Sequence, residues 1–150
     1  MTKHLFFIFV ISLAATDAGC RAHDFERRFF GEPLATRVER SRQLSLEQQY
    51  RVFRYANDVI HPPLMDMADP IAERGEEAVP FLLKQLQVDE SDTAVKDIVL
   101  IFERMALLRT YDVKSNPALL DVLIARVIDM KDRDWQAMSE SRLKRIQGIK

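Results

Sequence analysis

Apolar residues recur at helical spacing along most of the chain, and this pattern limits the fold more than any other feature of the sequence. The clearest case follows Ser45, where Leu46, Tyr50, Phe53 and Ile60 fall on one face of a helix. The chain contains only four glycines, whereas an all-β chain needs many tight turns. The sequence therefore predicts an all-α fold.

Start and stop signals divide the chain into separate helices. Ser45 and Gln48 have the spacing of a capping box, in which each side chain bonds the backbone of the other residue. Gly75 is placed to cap a short segment that ends at Arg74. Asn116-Pro117 is a start signal, because an N-cap residue is followed by proline. Further helices are predicted over residues 93–109, over residues 116–130 and from about Asp132.

One stretch resembles a known repeat. Ile71-Ala-Glu-Arg-Gly75 followed by Ala78-Val-Pro-Phe-Leu-Leu83 is similar to the helix–glycine–helix core of a HEAT-type repeat. Residues 92–111 and 116–130 form a second candidate pair without the glycine and Val-Pro landmarks. Stacked repeats need about three units to bury their faces. We therefore expect a compact, HEAT-like bundle of antiparallel helical hairpins, and the resemblance implies a scaffold for protein contacts.

The first nineteen residues predict an export signal. Lys3 and His4 precede an apolar run from Leu5 to Ala15. This run is shorter than the roughly 20 residues that a membrane-spanning helix needs, and it fits the roughly 7–15-residue core of a secretory signal. The predicted organisation is a signal peptide over residues 1–19, a tether or spacer over 20–44 and an all-helical domain over 45–150.

Ala18-Gly19-Cys20 resembles the end of a bacterial lipobox, where the cysteine thiol receives a diacylglycerol. Asp17 departs from the apolar residue usual in that family, and ordinary cleavage after Ala18 is the alternative. The resemblance implies lipidation of Cys20 and attachment to a membrane through it. Arg21 stands where an aspartate would resemble an inner-membrane retention signal. The implied location is the periplasmic side of the outer membrane, with a soluble periplasmic protein as the alternative.

Charge and composition bound the function. The net charge is −1, which gives no argument for nucleic-acid binding. Cys20 is the only cysteine, so no intrachain disulfide can form. Because no serine sits in a glycine-flanked elbow and no phosphate loop is present, we expect no enzyme and no cofactor.

The best polar cluster supplies the candidates for a metal or ligand site. Its members are Asn57, His61, Asp66, Asp69 and Glu73. His61, Asp66 and Asp69 are the candidate ligands, but hard cations usually need more oxygen ligands than these. We expect a network that caps helices and anchors loops. A metal- or ligand-binding accessory protein centred on His61 and Asp66 is the alternative.

Three apolar residues are candidates for partner binding. Leu100 and Leu107 fall on the charged side of the helix predicted over residues 93–109, where they form a potential docking ridge. Phe81 points away from the apolar stripe of its own helix. The sequence thus predicts a non-enzymatic envelope lipoprotein that binds another envelope protein. A periplasmic immunity or inhibitor protein is a more specialised alternative.

Overall fold

The structure, a computed structural model, describes residues 23–31, 33 and 36–149. In these residues the chain forms eight α-helices, joined by turns and short 3-10 helices, and no β-strand. The predicted all-α bundle is therefore confirmed. None of these helices combines the length and the apolar composition that a membrane span requires. The helices are α1 (Asp24–Phe30), α2 (Arg37–Arg42), α3 (Leu46–Val59), α4 (Asp69–Ala72), α5 (Val79–Val88), α6 (Asp92–Leu108), α7 (Pro117–Ile128) and α8 (Arg133–Gln147).

Helix α3 begins at the predicted capping box. The Ser45 hydroxyl accepts a hydrogen bond from the backbone N–H of Gln48 at 3.3 Å, and Gln48 Oε1 accepts one from the Ser45 N–H at 3.1 Å. Tyr50 and Phe53 lie on the buried face, as their spacing predicts. Asn57 is buried on the same face, so this helix carries a polar group into the core.

Helix α6 lies at the centre of the bundle and is buried on nearly all sides. Helix α8 runs beside it in the same direction. At the N-terminal ends of the two helices, Asp92 Oδ2 accepts hydrogen bonds from the backbone N–H groups of Lys131 and Asp132 at 2.8 and 2.7 Å. Further along, Glu103 Oε2 accepts a hydrogen bond from Arg142 Nε at 3.1 Å. The C-terminal ends of the two helices therefore lie at the same end of the bundle.

Gly75 follows the end of the preceding helical segment, where the sequence predicts a helix stop. Its φ of +56° is a left-handed conformation that glycine adopts without steric cost. The arm before it differs from the helix–glycine–helix resemblance, because it consists of a 3-10 helix (Met65–Ala68) and the four-residue α4. Pro70, in the first turn of α4, suits a helix start but not a helix interior. Helix α5 supplies the second arm.

The segment predicted as a spacer is partly folded into the domain. Within residues 20–44, helices α1 and α2 form and pack against the bundle. Phe29 joins the hydrophobic core, and the buried Glu26 accepts a hydrogen bond from Arg51 Nε of α3 at 2.8 Å. The packed domain therefore begins before Ser45. The signal peptide and Cys20 lie outside the described residues.

Candidate functional site

The predicted ridge of Leu100 and Leu107 does not form. Leu100 is only 5% exposed, whereas Leu107 is 60% exposed. Both leucines lie on α6, but helix α8 packs alongside α6 and leaves Leu100 in the interior, where it joins the core cluster. A docking ridge would need both side chains at the surface, so the pair cannot act as one.

Phe81 is half-buried rather than free at the surface. Its ring packs edge-on against Tyr50, with ring centroids 5.5 Å apart. Edge-to-face contacts of this kind stabilise aromatic pairs. Phe81 thus helps to hold α5 against α3.

Leu100 instead forms part of the floor of a groove, here called the Trp135 groove. This cavity has a volume of about 190 Å³ and lies where α3, α6 and α8 meet the loop before the Met65–Ala68 turn. Met65 and Met138 on its walls are 45% and 43% exposed. The apolar lining residues are Pro63, Met65, Leu100, Trp135 and Met138.

A buried carboxylate lies among the polar residues that line the Trp135 groove. Asp97 is fully buried, and its Oδ1 accepts a hydrogen bond from Asn57 Nδ2 at 2.9 Å. Lys96 Nζ lies 3.5 Å from Oδ1, and Arg54 Nε lies 3.4 Å from Oδ2. Burial raises the pKa of Asp97 above its ordinary value, and the nearby Lys96 and Arg54 charges oppose this shift. This cluster ties α3 to α6.

Two of these buried atoms, Asn57 Oδ1 and Arg142 Nη1, have no hydrogen-bond partner among the described residues. Within that part of the chain, Asp97 Oδ2 has only the ion pair with Arg54. All three side chains line the groove and are more than nine-tenths buried. Leaving a buried polar group unpaired costs about 1–3 kcal/mol. These atoms have almost no surface of their own, so they lie behind the lining of the groove rather than open to it.

Trp135 forms one wall of the groove and is held in place by a cation. Lys96 Nζ lies 4.7 Å from the centroid of the indole ring, within the range of a cation–π contact. The same ammonium group lies beside Asp97, so Lys96 links the ring to the buried carboxylate. This contact holds the indole at the edge of the groove.

The polar cluster predicted from the sequence is not brought together. Asp69 pairs with Arg104 of α6, with Nη2 of Arg104 donating to Oδ2 at 2.8 Å. Asn57 bonds Asp97, and Glu73 pairs with Arg42 through two hydrogen bonds.

His61 and Asp66, the centre of the alternative metal site, are both exposed. Over the described residues, no group of three or more His, Cys, Asp or Glu side chains is arranged to hold a metal ion. Asp69, the third candidate ligand, is engaged by Arg104. The three candidate ligands of the alternative site therefore do not converge on one point in the described part of the chain.

Sequence reasoning missed Asp97, Trp135 and Arg142 as members of one site. A signal for Asp97 was present, since apolar residues flank the polar Lys96–Asp97 pair on both sides of a long helix. A charged residue in such a setting is a candidate for burial with partners. The parallel packing of α8 on α6, which brings Trp135 and Arg142 to Asp97, has no local signal.

No protein-family model, no curated protein sequence and no solved structure matches this chain. The HEAT-like resemblance of residues 71–83 therefore stays a prediction from the sequence.

Proposed function

We propose that this chain is a non-enzymatic envelope lipoprotein whose helical domain binds another protein through the Trp135 groove. The observation that carries the proposal is the apolar rim of the groove, where Met65 and Met138 are exposed and Trp135 lines the same cavity. A rim of this kind favours contact with a protein.

The rim has the composition of a protein-binding site. Tryptophan and methionine are enriched in protein–protein interfaces, and tryptophan is among the residues that most often dominate binding energy. Met65 and Met138 both line the groove. Methionine side chains adapt their shape to a partner because they are unbranched and flexible.

The size of the groove favours a side chain or a short peptide segment over a metabolite. Small-molecule sites usually measure about 300–1,000 Å³, and this groove measures about 190 Å³.

The membrane attachment rests on the sequence around Cys20. Acylation there would hold the domain at a membrane surface and raise the local concentration of any partner in the same membrane. Intact mass measurement of the protein from cells should show loss of residues 1–19 and added acyl mass. A Cys20→Ser variant should show neither change. A wild-type chain that is processed but unacylated would contradict lipidation and leave a soluble exported protein.

Photo-crosslinking in intact cells tests the groove directly. A photoreactive amino acid at position 138 should capture one dominant envelope protein, while the same group at position 128 should not. Ile128 is a matched control because it is exposed on α7 and does not line the groove. Equal capture at both positions would contradict a specific groove.

Charge substitutions provide a second comparison. We expect Met65→Lys with Met138→Lys to abolish capture by a crosslinker at a third position, and Val122→Lys with Ile128→Lys to leave it intact. All four residues are exposed, so both variants should keep the wild-type thermal unfolding temperature. Capture that survives the groove substitutions in a folded protein would overturn the proposed binding site.

A further inference from the structure

A second surface combines apolar and basic side chains at the end of the bundle where α6 and α8 both finish. A cavity of about 430 Å³ opens there and brings Leu107, Arg109, Lys114 and Arg145 around one depression. Leu108 and Ile149 adjoin this cavity in the sequence. The surface, here called the C-terminal patch, comprises Leu107, Leu108, Arg109, Lys114, Arg145 and Ile149. None of these residues lines the Trp135 groove.

The cations of the C-terminal patch are only partly neutralised. Arg145 bonds Glu103, which the buried Arg142 also bonds. Arg109 and Lys114 are exposed, and neither has an ion-pair partner within the described part of the chain. Asp112 also lines the cavity and accepts a hydrogen bond from Ser115. Positive charge therefore exceeds negative charge on this surface.

The apolar members of the patch are unusually open. Leu107, Leu108 and Ile149 are 60%, 39% and 55% exposed. Leu107 lines the cavity, and Leu108 and Ile149 each directly follow a lining residue in the sequence, so all three lie at this end of the bundle. Exposed apolar residues near one another favour an interaction site over chance exposure. The three side chains are long aliphatic groups of the kind that insert between lipid headgroups.

The backbone conformation of Arg109 is unusual for a residue that carries a side chain. Arg109 caps the end of α6 in a left-handed conformation, with φ of +59°. Glycine is the usual residue at such a position because side chains disfavour it. Here a long basic side chain is held at that point instead.

We propose that the C-terminal patch binds the surface of an anionic phospholipid bilayer. The exposed aliphatic side chains enter the headgroup region, and Arg109, Lys114 and Arg145 contact lipid phosphates. Helix dipoles alone favour basic residues at these two helix ends, but they do not account for the three exposed aliphatic side chains. Complementary charge selects anionic over neutral lipid.

The test uses the full chain with Cys20→Ser, so that one engineered cysteine carries a fluorescent nitrobenzoxadiazole label. With Leu107→Cys, vesicles of phosphatidylglycerol and phosphatidylcholine should shift the emission maximum of the label to shorter wavelength. Spin-labelled lipid in these vesicles should quench the emission. The label should not respond to vesicles of phosphatidylcholine alone. With Ile128→Cys, on α7, the label should stay in water on both. High salt should weaken the response at position 107.

Charge reversal gives the matched comparison. Each basic residue near an anionic surface contributes enough that Arg109→Glu with Lys114→Glu should weaken partitioning at position 107 about 25-fold or more. Lys84→Glu with Lys131→Glu changes the net charge equally, on exposed residues outside the patch, and should have little effect. Circular dichroism should show both variants folded, because all four side chains are exposed.

Four results would overturn the proposal. The label at position 107 could respond equally to neutral and anionic vesicles, or no more than the label at position 128. The two charge-reversal variants could weaken partitioning by the same factor. Finally, the label could respond to inorganic phosphate or to polyglutamate but not to vesicles, which would identify a soluble anion or an acidic protein as the ligand. None of these results bears on capture at the Trp135 groove.

Discussion

Gly75 lies so close to Thr110 that a Cβ atom at position 75 would come within 2.5 Å of the Thr110 carbonyl oxygen. The Thr110 hydroxyl in turn donates a hydrogen bond to the carbonyl oxygen of Ala72 at 2.6 Å. The turn after α4 is therefore fixed against the chain just beyond α6. Only glycine meets both the left-handed φ and the close approach at position 75.

Replacing Gly75 should destabilise the fold strongly. We expect Gly75→Ala to lower the free energy of unfolding by about 2–5 kcal/mol. The substitution places a side chain on a residue with left-handed backbone conformation and pushes its Cβ against the Thr110 backbone. Urea denaturation followed by circular dichroism measures the change.

Gly148 is the matched control, because its φ is +74° but no atom lies within 4 Å of an added Cβ. Gly148→Ala should lose only about 1–2 kcal/mol. An equal loss in the two variants would show that the contact with Thr110 contributes nothing to the effect.

The Asn57–Asp97 pair should couple α3 to α6 energetically. Removing one partner of a buried charged cluster leaves other groups unpaired, and we expect Asp97→Ala to destabilise by about 3 kcal/mol or more. Arg54 keeps Asp58 and Asp89 within 3.7 and 3.5 Å, which limits the loss. A double-mutant cycle with Asn57→Ala, measured by urea denaturation, should give a coupling energy of about 0.5–3 kcal/mol. Additive effects would refute the pairing.

The Arg42–Glu73 pair should make stability depend on pH. The hydrogen bonds from Arg42 lower the pKa of Glu73 below its ordinary 4.5. Its contribution is therefore present above pH 4.5 and is lost as the pH falls through the lower, folded-state pKa. Both side chains are more than one-third exposed, so we expect Glu73→Gln to lose at most about 1 kcal/mol at neutral pH. Denaturation across acid pH should show this loss disappearing.

Asp97 provides a contrast of opposite sign. Because burial raises its pKa, the folded protein binds a proton more readily than the unfolded chain does, and stability falls as the pH rises above 3.8. Relative to Asp97→Asn, the wild type should gain stability on acidification. The same trend in both comparisons would contradict one of the two assignments.

Local sequence signals predicted where the helices begin, but they did not predict which parts of the chain pack against each other. The capping box at Ser45 and the Asn116–Pro117 start form as expected, because each involves residues three or four positions apart. The burial of Phe29 depends instead on the other members of the core cluster, which come from α3 and from later parts of the chain. The charges around Phe29 favoured a solvated spacer, although Phe25, Phe29 and Phe30 also suit one helical turn that docks on the domain.

At the groove, too, the face of the helix was predicted correctly but its burial was not. Leu100 was correctly placed on the polar side of α6, since Asp97 and Glu103 share that side. All three are buried nevertheless. Arg142 and Arg145 of α8 supply partners for Glu103, and Asn57, Lys96 and Arg54 supply partners for Asp97. A single helix pattern cannot reveal a partner helix that supplies the neutralising charges.

The two leucines of the predicted ridge should therefore respond differently to the same substitution. Leu100→Arg places a charge in the core beneath α8, and we expect it to lower the free energy of unfolding by more than about 3 kcal/mol. Leu107→Arg changes an exposed side chain and should stay within about 0.5 kcal/mol of wild type. Urea denaturation of both variants measures the difference. Leu100→Ala, expected to lose about 2–5 kcal/mol, separates packing from charge burial. If Leu100→Arg were as stable as wild type, α8 would not cover α6 as described, and the floor of the Trp135 groove would be open to solvent.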